Sequence, residues 1–229
     1  MNKKLIFLLA LLKITFMVNA QSKLDNQSYL DLNETKFDKN SDLFRIKNEN
    51  QQQIIVLEGN NYNEKIDEFT GKKIDDASGG KVILFPDVLT NYKMSVDMKF
   101  LGCNLKDFPS GGWFGFSMRA QDFENHEVVW FMPGGGGENN TVAYVPIAHG
   151  VCPWWSEAYD KQAKGNIQLP KNDWFTAQIE VIGDEFTVRV NDEFVFTKKL
   201  SYYLVKGKAG LFVGTATDVA FKNVSITKL

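Results

Sequence analysis

Histidine and cysteine are nearly absent, with two of each in 229 residues. A histidine-rich metal centre is therefore excluded, and disulfide chemistry narrows to one pair, Cys103 and Cys152. No span has the pattern of a long helix. No glycine-rich turn joins a strand to a helix, so a nucleotide-binding fold has no support. The glycines at 134–137 lack the lysine–serine ending of a phosphate loop and suit tight turns or a flap beside a site. No internal repeat or linker divides the chain. An excess of positive charge is lacking too: 26 Lys and Arg stand against 28 Asp and Glu.

The strongest apolar stretch opens the chain. Lys3 and Lys4 precede the run Leu5 to Leu12, Lys13 interrupts it, and Val18 and Ala20 fit the small-residue rule for cleavage after Ala20. A retained membrane anchor is the competing reading. Lys13 splits the run short of the roughly 18 apolar residues that a spanning helix needs, so stable membrane insertion is not expected. The expected organisation is a signal peptide at 1–20 and one β domain at 21–229, a size common among all-β domains. Removing Lys3, Lys4 and Lys13 leaves 23 basic against 28 acidic residues, a net charge of −5. That balance is ill suited to a nucleic-acid backbone and agrees with a secreted, extracellular or periplasmic protein. In an oxidising compartment Cys103 and Cys152 are expected to pair, tying the loop that Cys152 opens to the strand that Cys103 follows; two buried thiols are the alternative. Asn26, Asn33, Asn139 and Asn223 head Asn-x-Ser/Thr sequons, of which Asn223 falls in an expected strand.

Short strands dominate the rest of the chain. They are expected at Asp42 to Ile46, Gln53 to Leu57 and Lys81 to Phe85, where Pro86 stops the third. Tyr92, Met94, Val96, Met98 and Phe100 share one parity, the mark of a half-buried strand. In Trp113 to Arg119, Phe114, Phe116 and Met118 lie on one face and Ser117 and Arg119 on the other. Glu127 to Phe131 and Val142 to Val145 read as strands, and residues 146–168 as a long irregular segment. Trp174 to Val181 and Phe186 to Val190 alternate cleanly around a turn at Gly183-Asp184. Asn191-Asp192-Glu193 turns the chain again into Phe194 to Phe196. Leu211 to Gly214 and Ala220 to Ile226 close the pattern. Closely spaced strands with tight turns specify an all-β sandwich or barrel.

The stretch from Asp173 to Ile226 resembles the closing half of a concanavalin-like jelly-roll β-sandwich of the laminin-G or glucanase type. Its marks are Trp174-Phe175, the turn and return at Asn191 to Phe196, Gly207-Lys208-Ala209-Gly210-Leu211, and Phe221 to Ile226. Within that superfamily the chain most resembles secreted 3-keto-disaccharide hydrolase-like domains. Phe116-Ser117-Met118-Arg119 is similar to that family's Phe-x-x-Arg strand end. His126-Glu127-Val128-Val129 is similar to its Tyr-Glu-Val-Gln strand, with His126 and Val129 as departures. The family's opening around Phe-Asn-Gly is absent. The resemblance covers residues 81 to 227 and implies a jelly roll associated with carbohydrate.

Glu127 is the first catalytic candidate, because sugar-cleaving sites pair carboxylates as acid and base. Glu124 and Asp122 lie nearby, but a spacing of three does not place Glu124 and Glu127 on one face of a straight strand. A solvent-facing or edge carboxylate is the plainer reading. Arg119 could orient a hydroxyl with its planar fork, and His126 could move a proton near neutral pH; each is also an ordinary surface residue by type. Trp130, Tyr144, Trp154, Trp155 and Tyr159 form the ligand-binding set, since sugar rings stack on flat aromatic faces. Their alternative is core plugging. Trp113 and Trp174 begin strands and read as structural. No cofactor is required, although loop oxygens near Asp218 or at 134–141 could hold calcium. Two readings compete: an enzyme acting on a small glycoside or disaccharide, and a non-catalytic carbohydrate-binding module or extracellular adhesion protein. Converging carboxylates beside the aromatics favour the first; aromatics without them favour the second.

Overall fold

Two antiparallel sheets face each other across one apolar layer, the arrangement of a concanavalin-like jelly roll. The computed structural model describes residues 28–60, 64–66, 73–75, 80–104, 112–133, 141–151, 164–202 and 204–229. The expected signal peptide lies outside them. Among the described residues no helix is long and apolar enough to cross a membrane.

The first sheet contains β1 (Asp38–Lys39), β6 (Lys81–Leu89), β8 (Phe114–Ala120), β9 (His126–Met132), β10 (Thr141–Ile147), β11 (Lys164–Asn166) and β15 (Gly207–Val213). Its order is β1-β6-β15-β8-β9-β10-β11. The second contains β2 (Phe44–Glu49), β3 (Gln52–Leu57), β7 (Tyr92–Cys103), β12 (Phe175–Ile182), β13 (Glu185–Val190), β14 (Glu193–Lys199) and β16 (Thr217–Lys228). Its order is β14-β13-β12-β7-β16-β3-β2. A separate pair joins β4 (Glu64–Ile66) to β5 (Lys73–Asp75) within a stretch that the sequence presents as loop.

Period-two alternation builds the interior. Met94, Val96 and Met98 of β7 face inward with Ala177, Ile179 and Val181 of β12 and Phe186, Val188 and Val190 of β13. Phe116 and Phe131 meet them from the first sheet. The β13–β14 hairpin turns at Asn191 (φ 48°) and Asp192 (φ 65°), both left-handed. This is the backbone a two-residue hairpin turn requires, and Asn and Asp tolerate it best after glycine.

Pro86 does not end its strand. β6 continues to Leu89, while its neighbour β1 pairs only with Ile83 and Leu84. At Pro86 that side of β6 carries no ladder, so a missing N–H costs nothing there. β10 likewise runs through Pro146 to Ile147.

The expected Cys103–Cys152 disulfide is not formed. Among the described residues there is no disulfide; Cys103 ends β7 half-buried, and Cys152 lies outside those residues. The strand geometry gives the reason. Cys103 pairs with Thr217 beside the start of β8, whereas Val151 bridges Ala148 beside the start of β9, where β8 ends. The length of β8 separates these ends by about 20 Å at roughly 3.3 Å per residue. A disulfide needs Cα atoms within about 7 Å.

Candidate functional site

The β8–β9 pair carries all three catalytic candidates, and a bulge decides where they point. Between Ser117 and Ala120, β8 spends three residues while β15 advances two, from Gly210 to Lys208. Arg119 takes a left-handed φ of 50° within that irregularity. Simple alternation places Arg119 opposite Met118; the bulge lets both turn away from the outer face. Arg119 is fully buried, and Nη2 donates to the carbonyl of Gly183 in the β12–β13 turn at 2.9 Å. The side chain therefore crosses from one sheet to the other. Gly207 makes the bulge fit, because a Cβ there would collide with the Arg119 backbone.

Glu127 shares its inward parity with Val129 and Phe131 and has no exposed surface. Its carboxylate is surrounded by donors. The Tyr144 hydroxyl donates to Oε2, as does the Ser201 N–H at 3.0 Å, and the Tyr202 N–H donates to Oε1 at 3.0 Å. Ser201 and Tyr202 belong to the crossover from β14 to β15, so Glu127 fastens that crossover across the sandwich end. Tyr92, at the start of β7, completes the interior group. Burial pushes its phenol up, and the Arg119 charge opposes that shift. Burial likewise pushes the Tyr144 phenol up, aided by the Glu127 charge. Burial lowers the Arg119 guanidinium from its ordinary value, against the opposing effects of Tyr92 and Glu127.

His126 occupies the opposite face. Its Nδ1 lies 2.8 Å from the Ser117 hydroxyl, and both residues are buried. Burial depresses the imidazole to about 4, with Asp122 opposing. The ring is thus neutral at physiological pH. Asp122 is turned to its own loop: Oδ1 accepts the N–H groups of Glu124 and Asn125, each at 2.8 Å. Burial raises the Asp122 carboxyl, but the Asn125 side chain and these two N–H groups outweigh it and hold the carboxyl below its ordinary range. Trp130 shares the outer face with Val128, Ala143, Val145 and Phe212. It packs edge-on against the half-buried Trp113, with centroids 5.6 Å apart. Trp154, Trp155 and Tyr159 lie outside the described residues.

A family comparison settles the relationship. The model of the 3-keto-alpha-glucoside-1,2-lyase-like domain matches residues 34–227. The chain belongs to that family. The match begins well before residue 81, so it includes β1 to β5, which the residue-level resemblance did not reach. No functionally curated protein matches the sequence. Among solved structures, the carbohydrate-binding module CBM66 from Bacillus subtilis superposes with a TM-score of 0.50 at 16% identity, covering 73% of this chain and 92% of that one. A Bacillus subtilis protein of unknown function with a galectin-like fold gives 0.56 at 11%, covering 88% and 92%. The Bacillus licheniformis beta-glucanase gives 0.53 at 10%, covering 89% and 96%. At such identities these likenesses establish the fold.

In this lyase-like domain, then, Arg119, Glu127 and Tyr144 come together inside the sandwich, while His126 and Trp130 lie on the other side of the same sheet. Tyr92 and the Ser201-Tyr202 backbone were missed as partners. Tyr92 looks like one more apolar position of an alternating strand, and a backbone donor leaves no residue-type signal. Near Asp218, Oδ1 accepts the Asn60 N–H at 3.0 Å, and Asn60 Nδ2 donates to the carbonyls of Gly214 (2.9 Å) and Thr217 (3.2 Å). An amide thus engages oxygens that a calcium ion would use. Among the described residues no group of three or more His, Cys, Asp or Glu is placed to hold a metal.

Proposed function

We propose that the protein is a secreted carbohydrate-binding domain, with residues 21–229 as one unit, that holds a small glycoside without cleaving it. The observation carrying this reading is the enclosure of Glu127. Both carboxylate oxygens already accept protein hydrogen bonds, and the residue has no exposed surface. Aromatics without converging carboxylates favour a binder. Trp130 is buried against the half-buried Trp113 on the outer face of the first sheet, so Trp154, Trp155 and Tyr159 are the stacking candidates. Family membership and the named sugar-binding neighbour support carbohydrate as the ligand class. The signal-like residues 1–20 support export.

The finer alternative is turnover of a small glycoside by Glu127, Arg119 and His126. The lyase-like family description favours it. It requires the Ser201-Tyr202 crossover to leave Glu127 so that substrate can reach the carboxylate.

Titration of a panel of glycosides and oligosaccharides, with product followed in parallel, tests both. Saturable binding without product is expected. Trp154→Ala or Trp155→Ala should weaken binding by about 1–3 kcal/mol where a packed contact is lost. Product formation by the wild type that Glu127→Gln abolishes would overturn the binding reading in favour of the enzyme.

A further inference from the structure

Three polar atoms inside the sandwich lack a hydrogen bond of good geometry among the described residues: Arg119 Nε, Arg119 Nη1 and Tyr92 Oη, the last lying close to the Arg119 backbone N–H. The remaining guanidinium nitrogen, Nη2, is held by the Gly183 carbonyl. Both side chains are buried. A buried donor with no acceptor is costly, and a guanidinium has five N–H groups to satisfy. We infer that Arg119 and Tyr92 form an interior binding site for one neutral hydroxyl oxygen, that of a water molecule or of a sugar.

The surrounding charges select that chemistry. Arg119 alone would favour an anion. Glu127, however, acts electrostatically on both Arg119 and Tyr92, and its negative charge already compensates the guanidinium. A second anion would be left uncompensated in a low-dielectric setting. A cation would meet guanidinium N–H groups. An apolar guest would leave all three atoms unsatisfied. A hydroxyl oxygen can accept from Arg119 and exchange a hydrogen bond with Tyr92, whose phenol both donates and accepts. Buried waters typically serve such clusters with about three hydrogen bonds each. Ser201 and Tyr202, which bond Glu127 beside the cluster, are themselves exposed and half-buried, respectively.

The inference does not depend on the proposed function, because water alone can fill the site. The test uses full-length secreted protein labelled with 15N-arginine. Magnetisation transfer from water to the Arg119 Nε–H is measured alone, with trehalose or methyl glucoside, and with inorganic phosphate. A rotating-frame cross-peak from a long-lived water, unchanged by sugar, assigns the site to water. Its saturable loss with a shift of the Nε–H resonance assigns it to a sugar hydroxyl. Either outcome supports the site. A visible Arg119 Nε–H with no water cross-peak and no sugar response overturns it, as does a saturable shift with phosphate. Tyr92→Phe removes one oxygen from the site with little change of shape, and it should cause loss of the cross-peak while the fold persists. A cross-peak of unchanged intensity in that variant would remove Tyr92 from the site and overturn the inference.

Discussion

The two ends of the sandwich close the same apolar core by opposite means. At one end, where β7, β15 and β9 begin, two charged groups, Arg119 and Glu127, stand beside the neutral phenols of Tyr92 and Tyr144. At the other, where β3 and β7 finish and β16 begins, amides predominate, with one carboxylate, Asp218, accepting the Asn60 N–H. Asn60 bonds the carbonyls of Gly214 and Thr217, and Asn104 Nδ2 donates to the carbonyl of Asn60 at 2.9 Å. The amide end shows that two amides and one carboxylate suffice to tie these strand ends together. Charge at the other end, with two guanidinium nitrogens unmatched among the described residues, exceeds what closure requires. Surplus hydrogen-bonding capacity of that kind is where function is best sought.

Removing one group from each end gives the largest contrast. Glu127→Ala deletes the acceptor of two backbone N–H groups and one phenol, and leaves the Arg119 charge buried without its compensating neighbour. A loss of about 3–5 kcal/mol is expected. Asn60→Ala leaves two carbonyls without their donor and should cost about 1–3 kcal/mol. Urea unfolding of both variants reads the difference. Equal losses would mean that the charged end is no more demanding than the amide end.

Acid sharpens the comparison, because His126 sits on the outer side of the charged end. Its folded value, about 4, lies below the ordinary 6.5, since burial disfavours the imidazolium. The unfolded chain therefore takes up a proton first. Stability from this residue is fully present above about pH 6.5 and falls as pH drops towards 4, by about 3 kcal/mol. His126→Gln, which keeps a polar partner for Ser117, should flatten stability over that window. An unchanged slope would show that His126 is not the group responsible.

Sequence pattern revealed one end of the molecule better than the other. The β12–β13 hairpin follows strict alternation, and the turn residues at Gly183, Asn191 and Asp192 suit the left-handed positions they occupy; β14 departs from it through a register shift against β13. The hairpin's faces were therefore legible residue by residue. Around Arg119 the same rule failed, because one extra residue in β8 reverses the side on which Arg119 falls. A bulge has no required residue type, and here the glycine that permits it, Gly207, lies on a different strand. Glu127 had the inward parity in plain sight, but two of its three partners are backbone groups 74 and 75 positions away. Pro86 misled for another reason: proline ends a strand only where its missing N–H would have been used.

Glycines provide a smaller contrast between the ends. A Cβ at Gly207 would collide with the Arg119 carbonyl group, whereas a Cβ at Gly102, near the amide end of β7, meets nothing within 4 Å. Gly207→Ala should cost about 1–3 kcal/mol through forced backbone shifts. Gly102→Ala should fall within about 0.5 kcal/mol of the wild type. Thermal unfolding of the two variants checks the pair, and Gly207→Ala at wild-type stability would mean that β15 can move away from the bulge at no cost.

The smallest expected effect is the response to reduction, and it rests on the distance between the same two ends. Cys103 belongs to the amide end: its strand partner is Thr217, and the N–H of the next residue, Asn104, donates to the Ala216 carbonyl at 2.7 Å. Val151 belongs to the charged end. It is bound to Ala148, and the N–H of the preceding Gly150 donates to the Glu124 carbonyl at 3.0 Å. One peptide unit advances the chain by only about 3.8 Å, and the ends stand about 20 Å apart along β8. A bridge to Cys152 would require one end to give up its hydrogen bonds. Dithiothreitol should therefore leave the unfolding midpoint of the secreted protein where it is, and Cys103→Ser should leave its response to reductant unchanged. A disulfide closing about 50 residues would contribute about 4 kcal/mol on the loop-entropy model, a difference that urea unfolding resolves easily. A midpoint that falls by that amount on reduction, and that Cys103→Ser makes insensitive to reductant, would show that the two ends are joined after all.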